Sequence, residues 1–146
     1  MKGKSFVVAL VLVLSVLLSA CGGGAAAGPA GAIQTYLSAV SNFDFKAAGD
    51  LSCAAQKDTM NQAFALFNSA GTGGDPSSLK SLFKFDFSGL KFAESSNDGK
   101  SAVVHMSGTM KVSAFGQDQS TDMNQDIPVV NEGGQWKVCG NPLSGQ

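Results

Sequence analysis

The sequence contains no arginine, so all ten of its basic residues are lysines. The chain therefore lacks the planar guanidinium group that holds a phosphate or a carboxylate through two parallel hydrogen bonds. The formal net charge is -1 over 146 residues, and removal of Lys2 and Lys4 with an N-terminal leader makes the remainder more acidic. Charge and composition together argue against nucleic-acid binding, nucleotide binding and phosphoryl transfer.

The sequence also has few residues that bind metals. His105 is the only histidine, and the three cysteines lie far apart at Cys21, Cys53 and Cys139. Zinc motifs place their ligands in close pairs, which this chain does not have. The acidic residues Asp118, Asp122 and Asp126 alternate along a predicted strand without the glycine and terminal glutamate of a calcium loop. We therefore expect no metal and no cofactor, and we expect His105 and these carboxylates to lie on a solvated strand face.

No apolar run in the chain is long enough for a membrane-spanning helix. The main apolar segment, 6–18, has about 13 residues, whereas a helix needs roughly 20 to cross the hydrocarbon layer. Lys2 and Lys4 precede this segment and the small residues Ser19 and Ala20 follow it. A basic start, an apolar centre and a small-residue end are the three parts of an export signal. We predict that residues 1–20 form a cleaved signal peptide.

The residues around the predicted cleavage site, Leu18-Ser19-Ala20-Cys21, resemble the lipobox of bacterial lipoproteins. The resemblance implies that Cys21 becomes the mature amino terminus and carries fatty acids, such as palmitate, in a diacylglycerol. Two acyl chains give stable membrane anchoring, whereas one gives only marginal binding. The expected location is the extracytoplasmic face of a bacterial cell membrane, or the outer membrane if the cell has one. The alternative is that Cys21 is an ordinary thiol behind an ordinary cleavage site.

The rest of the chain has room for a single domain. Residues 21–31 are rich in glycine and alanine and are predicted to be a flexible tether. The folded domain is expected at residues 32–142, and residues 143–146 form a tail. Three helices are predicted at its start: from Ala32 to Val40, from Phe45 to about Ala54 with Asp44 as its cap, and from about Ala55 to Ser69. Glycines break the pattern at 71–76, which is predicted to be a loop.

After this loop the apolar period changes from near four to two. Alternate residues from Ala102 to Ala114 are apolar or small and predict a strand with one face toward the core. An earlier strand carries Phe83, Phe85 and Phe87, with a bulge expected at Ser88-Gly89 that brings Leu90 and Phe92 to the core side. The turn residues at 97–99 predict a hairpin. Met123, Ile127 and Val129 mark a further strand, and the last one is predicted from Gln135 to Cys139, with Pro142 closing the fold. The sequence thus predicts an α+β domain in which two to three N-terminal helices cover a curved, four-stranded antiparallel sheet.

This order of elements resembles a known family. A first helix with Tyr36-Leu37, a short helix ending near Cys53 and strands closing on Gly134-Gln-Trp-Lys-Val-Cys139 are similar to small bacterial lipoproteins with a domain like nuclear transport factor two. The resemblance covers about residues 32–139. It implies a cone-shaped fold that ketosteroid isomerase also uses, with an apolar cavity inside the cone.

The cysteines left after lipidation form an even pair. Cys53 and Cys139 belong to an exported protein, where disulfides form and persist. In the resembling fold the ends of the second helix and of the last strand can approach each other. We predict a disulfide between these residues; two buried free thiols and a reactive cysteine are the alternatives.

The remaining candidate site is the expected cavity. Its predicted lining consists of an aromatic, sulfur-containing and phenolic set, namely Tyr36, Phe64, Phe85, Met106 and Trp136. Tyr36 could act as a phenol donor of the isomerase kind, but no carboxylate falls on a predicted core-facing strand position, and we favour a packed tyrosine with its hydroxyl at the edge. The Phe83, Phe85 and Phe87 stripe is equally consistent with core packing and with a ligand cleft.

Three functions remain open at this level. The first is a non-catalytic, lipid-anchored binding or accessory domain for a small apolar ligand or an envelope protein. The second is a small pocket enzyme of the ketosteroid isomerase class, which needs a cavity that holds Asp44, Asp50 or His105. The third is a structural partner in envelope assembly, which acts through an exposed apolar surface.

Overall fold

The structure is a computed structural model that describes residues 28–69 and 76–144. The predicted signal peptide, Cys21 and most of the loop predicted at 71–76 lie outside these residues, and Pro76 belongs to a helix. Four helices precede five strands in the described part of the chain. The helices are α1 (Pro29–Ser41), α2 (Phe45–Leu51), α3 (Ala54–Ser69) and α4 (Pro76–Leu82). The strands are β1 (Phe83–Asp86), β2 (Leu90–Asn97), β3 (Ser101–Ala114), β4 (Gln117–Glu132) and β5 (Gln135–Val138).

Helix α1 is longer than the sequence pattern predicted. It starts at Pro29 rather than Ala32, so the last residues of the predicted tether are helical. Proline is suited to the first helical position because its missing N–H has no partner there in any case. The predicted apolar stripe of Ile33, Tyr36, Leu37 and Val40 is buried, as expected for one face of an amphipathic helix.

Helix α2 is capped as predicted and ends earlier than predicted. The carboxylate of Asp44 accepts a hydrogen bond from the backbone N–H of Ala47 at 3.0 Å. The helix stops at Leu51 because Ser52 is extended and forms a parallel bridge with Val138. The backbone N–H of Cys53 then donates to the carbonyl of Val138 at 2.9 Å. Cys53 therefore lies in a short extended link that adds to the edge of the sheet, not in a helix.

The next two helices differ in how well the sequence predicted them. Helix α3 starts at Ala54, one position from the expected start, and the side chains of Phe64 and Phe67 lie outside the described part. Helix α4, from Pro76 to Leu82, has no counterpart in the prediction. It has only seven residues, too few for a clear apolar period, and the buried side chain of Leu79 packs it against the domain.

The sheet is antiparallel and curled into a half-barrel four strands wide. Strands β1 and β2 both pair with β3, one after the other, and together occupy one edge position. The interruption between them is the predicted bulge, where the N–H of Leu90 donates to the carbonyl of Phe87. A Cβ atom on Gly108 of β3 would collide with the carbonyl oxygen of Gly89, and Gly108 has a φ of 118°. Glycine at this position therefore lets the two strands approach where the edge bends.

The core lies between α1 and the concave face of the sheet. Val104 and Met106 of β3 and Met123, Ile127 and Val129 of β4 are buried, which confirms the alternating pattern that the sequence predicted. Strand β5 ends at Val138, one residue before the predicted end. Pro142 is fully buried and closes this side of the domain, where its carbonyl accepts a hydrogen bond from the Gln125 side chain at 3.1 Å.

Cys53 and Cys139 form the predicted pair. Their sulfur atoms lie 2.12 Å apart and their Cα atoms 5.2 Å apart, at a sequence separation of 86. The pair joins the residue before α3 to the residue after β5. It thus connects the helical half of the domain to the last strand.

Candidate functional site

A groove of about 430 Å³ lies between α1 and the β1–β2 edge of the sheet. We call it the helix–sheet groove. Its apolar floor consists of one helix residue and four residues from the sheet edge: Leu37, Phe85, Phe87, Leu90 and Phe92. The bulge between β1 and β2 is what brings Phe87 and Leu90 to the same side. Its volume falls within the size range of small-molecule sites.

The aromatic rings of the floor continue into the link between α1 and α2. Phe85 and Phe87 are stacked, with ring centroids 6.0 Å apart and 14° between the planes. Phe43 lies against Phe85 at 5.8 Å and against Phe45 at 6.1 Å. Offset and tilted ring pairs at these distances are favourable beyond the area that they bury. The aromatic rings of the floor therefore belong to a continuous row that extends beyond the groove.

The rim of the groove is polar. Four of its residues are uncharged, and the fifth is a carboxylate: Gln34, Ser38, Ser41, Ser88 and Asp86. The Ser41 hydroxyl donates to the Ser38 carbonyl at 2.9 Å, which turns it back onto its own helix. Asp86 accepts hydrogen bonds from the hydroxyl and the backbone N–H of Ser88, and these lower the pKa of its carboxyl group. Asp86 is exposed and alternates with the floor residue Phe85, so its negative charge lies at the mouth of the groove and not on the floor.

A second cavity of about 280 Å³, which we call the inner cavity, lies on the other side of α1. Most of its wall comes from the helices, and the C-terminal segment completes it. The helix residues are Tyr36, Val40, Phe45, Gln56, Thr59 and Met60, and the C-terminal residues are Gly140, Asn141 and Leu143. The Tyr36 hydroxyl donates to the sulfur atom of Met60 at 3.6 Å. Burial raises the pKa of the Tyr36 phenol, so this group is a neutral donor at ordinary pH.

The five residues predicted to line one cavity are divided among several places. Tyr36 lies at the inner cavity and Phe85 at the helix–sheet groove. Met106 is fully buried in the core and Trp136 is half-buried against it, so neither is a wall of these two cavities. The side chain of Phe64 lies outside the described part of the chain. Phe85 and Phe87 of the predicted aromatic stripe line the groove. Leu37 and the serines of α1 were not predicted as groove residues, although the period of α1 places Gln34, Ser38 and Ser41 on one side of the helix.

The outer face of the sheet carries the polar residues that the sequence placed there. Asp118, Asp122 and Asp126 are exposed along β4. His105 lies directly across from Asp126, with Nδ1 and Oδ1 2.8 Å apart, and the Thr109 hydroxyl donates to Asp122 at 2.9 Å. The pairing of His105 was not predicted. It follows from a two-residue turn at Phe115-Gly116, which fixes the register of β3 against β4.

The three residues that a pocket enzyme was expected to hold lie elsewhere. Asp44 caps α2, and His105 is on the outer sheet face. Asp50 forms ion pairs with Lys46 at 2.9 Å and Lys57 at 3.6 Å, and the hydrogen bond from Lys46 lowers the pKa of this exposed carboxyl group. Within residues 28–69 and 76–144, the histidine, cysteine and acidic side chains form no cluster of three that could hold a metal ion. The helices of that same part include none long and apolar enough to cross a membrane.

Comparison with known proteins adds no assignment: no family model matches the sequence, and no curated protein matches it.

Proposed function

We propose that the mature protein begins at Cys21, is held by diacylglycerol to the extracytoplasmic face of a bacterial membrane, and binds a small apolar ligand in the helix–sheet groove. The anchor is supported by the Leu18-Ser19-Ala20-Cys21 motif behind an apolar segment with a basic start. The cone of the nuclear transport factor two class is part of the same proposal, and the curled sheet beneath α1 is compatible with it.

The composition of the groove carries the binding proposal. Its floor is made of Leu37 and aromatic and aliphatic residues of the sheet edge, and α1 contributes only uncharged polar groups to its rim. Such a site excludes water from an apolar ligand and orients it through a few hydrogen bonds. The single carboxylate, Asp86, lies at the mouth. The ligand class that fits is therefore flat, apolar and uncharged, with a polar group at one end.

A second function is favoured by one specific observation. Tyr36 holds a desolvated, neutral phenol in the inner cavity, with a thioether sulfur atom as its acceptor. Sulfur is a weak acceptor, so a carbonyl oxygen of a ligand would be a better partner for this hydroxyl. An isomerase-like enzyme would use such a donor together with a base. We rank this function second because Asp44, Asp50 and His105 do not line the inner cavity.

Two matched substitutions test which of the two cavities binds the apolar ligand. Ser38→Leu places a larger apolar side chain at the rim of the helix–sheet groove, and Thr59→Leu does the same in the inner cavity. Both positions are exposed on helices, so neither change creates a buried hole. The probe is N-phenyl-naphthylamine, a flat neutral molecule whose fluorescence rises in apolar surroundings.

The expected result is saturable binding that Ser38→Leu weakens about tenfold or more, a loss of roughly 1.4 kcal/mol, while Thr59→Leu leaves it unchanged. Loss of binding in Thr59→Leu alone would transfer the site to the inner cavity. Equal binding by both variants and the parent protein would contradict a specific cavity site.

A further inference from the structure

The end of the domain where β3 turns into β4 exposes an apolar surface. Phe115 has 73% of its surface exposed and Leu82 has 43%, and both are large apolar side chains. The ring of Phe83 lies against that of Phe115 with centroids 5.1 Å apart. We call Leu82, Phe83 and Phe115 the aromatic tip.

The backbone holds Phe115 in an unfavourable place. It has a φ of 52° and shares a two-residue turn with Gly116, whose φ is 79°. Both positions of such a turn favour glycine, asparagine or aspartate, and a bulky residue with positive φ is a genuine exception. The chain thus keeps an aromatic ring in water at a position where a small polar residue would fit better. A residue that violates both the φ preference of its turn and the preference of aromatic rings for burial is typical of a functional position.

The aromatic tip is fixed rather than loose. The backbone N–H of Phe115 donates to the carbonyl of Leu82 at 2.9 Å, and Phe83 pairs with Ala114 in the sheet. The tip is also continuous with the helix–sheet groove, because Phe83 and Phe85 are two positions apart in β1 and therefore lie on the same face of the strand. Apolar surface therefore extends from the tip to the groove floor.

The charges around the tip are mixed. Lys80 and Lys84 lie on either side of Leu82-Phe83 in the sequence, and both are exposed. Asp118 is the acidic residue of β4 nearest to the tip. It pairs with Ser113 of β3, and Ser113 pairs with Lys84 of β1 on the opposite edge. Exposed aromatic rings flanked by lysines suit the interface of an anionic bilayer.

The predicted anchor leaves the tip within reach of the membrane. Gly28 lies beside Glu94, which is opposite Val104 on β3. From Val104 to Ala114 the strand extends about 33 Å at roughly 3.3 Å per residue. The segment from Cys21 to Gly28 spans at most about 25 Å when fully extended. A domain attached at the Gly28 end can therefore lie along the membrane with the tip at its other end touching the same surface.

We infer that the aromatic tip is a second membrane contact, which inserts Phe115 and Leu82 into the lipid interface and opens the groove toward ligands dissolved in the bilayer. The inference rests on the lipid anchor of the proposed function. A protein partner or a second copy of this chain is the competing occupant of the tip, and the experiment separates it from lipid.

The test uses the processed protein from its own cells, reconstituted in vesicles of phosphatidylethanolamine and phosphatidylglycerol. Tryptophan is introduced at the tip by Phe115→Trp and at the opposite hairpin by Lys100→Trp, and the parent protein gives the background of Trp136. Lipids with brominated acyl chains quench only a tryptophan that enters the apolar layer. Intact mass and probe binding, recorded on the same samples, show separately whether the anchor and the groove are present.

The expected result is a blue shift of the Phe115→Trp emission and loss of about half of its intensity in brominated vesicles, with no change for Lys100→Trp. Phe115→Asn, which suits the turn, should fold at least as well as the parent protein and yet weaken transfer of vesicle-dissolved probe to the groove. If brominated lipids do not quench Phe115→Trp, the inference is overturned. An emission that shifts with protein concentration instead would point to contact with a second copy of the chain. Equal quenching at both ends would also overturn it.

Discussion

The rings of Phe43 and Phe85 lie 5.8 Å apart at an angle of 54°, which joins the link between α1 and α2 to the floor of the helix–sheet groove. Phe43 makes this contact with a φ of 57°, an unfavourable backbone conformation for a bulky residue. The burial of its ring stabilises the link enough to maintain that conformation. The shape of the groove therefore depends on a residue outside it.

Replacement of the buried ring should weaken the whole domain. Phe43→Ala is expected to lower the free energy of unfolding by about 3 kcal/mol, because it removes a buried aromatic side chain. Phe115→Ala is the matched control, since Phe115 has nearly the same positive φ but an exposed ring. It should change the free energy by less than about 0.5 kcal/mol. Urea unfolding of both variants provides the measurement, and equal losses would contradict a stabilising role for the burial of the Phe43 ring.

The Cys53–Cys139 pair should account for a large share of the stability. The two residues close a long loop, and the chain-entropy estimate for a loop of this length is about 4 to 5 kcal/mol. The double variant Cys53→Ser/Cys139→Ser should shift the urea midpoint downward, and a reductant should shift the parent protein to the same place. A reductant that leaves the midpoint unchanged, or alkylation of both thiols without reduction, would disprove the bond.

The β2–β3 hairpin should make the stability depend on acid pH. Asp98 accepts hydrogen bonds from the backbone N–H groups of Ser101 and Lys100 and from the Ser101 hydroxyl, and these lower the pKa of its carboxyl group from 3.8. Because the pKa is lower in the folded state, the stabilisation is complete above pH 3.8 and is lost as the pH falls through the folded-state value.

Asp98→Asn should remove this part of the pH dependence, and Ser101→Ala should reduce it by removing one donor. Urea midpoints measured from neutral to acid pH check both expectations. Curves for Asp98→Asn and the parent protein that stay parallel throughout would refute the role of Asp98.

The cap of α2 should be measurable on its own. Asp44→Ala removes the acceptor for the Ala47 N–H and should cost about 1 kcal/mol of unfolding free energy, whereas Asp44→Ser should retain most of it. Asp58→Ala, an exposed change within α3, serves as the control for loss of a surface charge. Should Asp44→Ala and Asp58→Ala lose the same amount, the cap would have no special role.

Local sequence signals predicted much of the fold. Neighbouring residues predicted the period of two in β3, the Asp44 cap and the bulge at Ser88-Gly89. The Cys53–Cys139 pair was predicted because two cysteines remain once Cys21 is assigned to lipidation. Helix α4 was missed because seven residues with one buried leucine give no clear period. The early end of α2 depends on the bridge between Ser52 and Val138, a contact between distant parts of the chain.

The sites were less predictable than the fold. Aromatic residues at alternate strand positions gave the floor of the groove, but not which ring faces a cavity and which packs into the core. Met106 shows the limit, because its position on β3 is as predicted and yet its side chain is fully buried in the core instead of lining a cavity. Cavities arise where packed elements fail to meet, and that depends on distances between elements that no local pattern encodes.

The most direct test of the lipid-anchored binding domain is intact mass of the protein purified from the membranes of its own cells, measured under denaturing and under native conditions. The account predicts a denatured mass that starts at Cys21 and includes diacylglycerol, and a native mass increased by one apolar molecule that Ser38→Leu does not retain. A denatured mass without lipid, or identical masses under the two conditions, would contradict it.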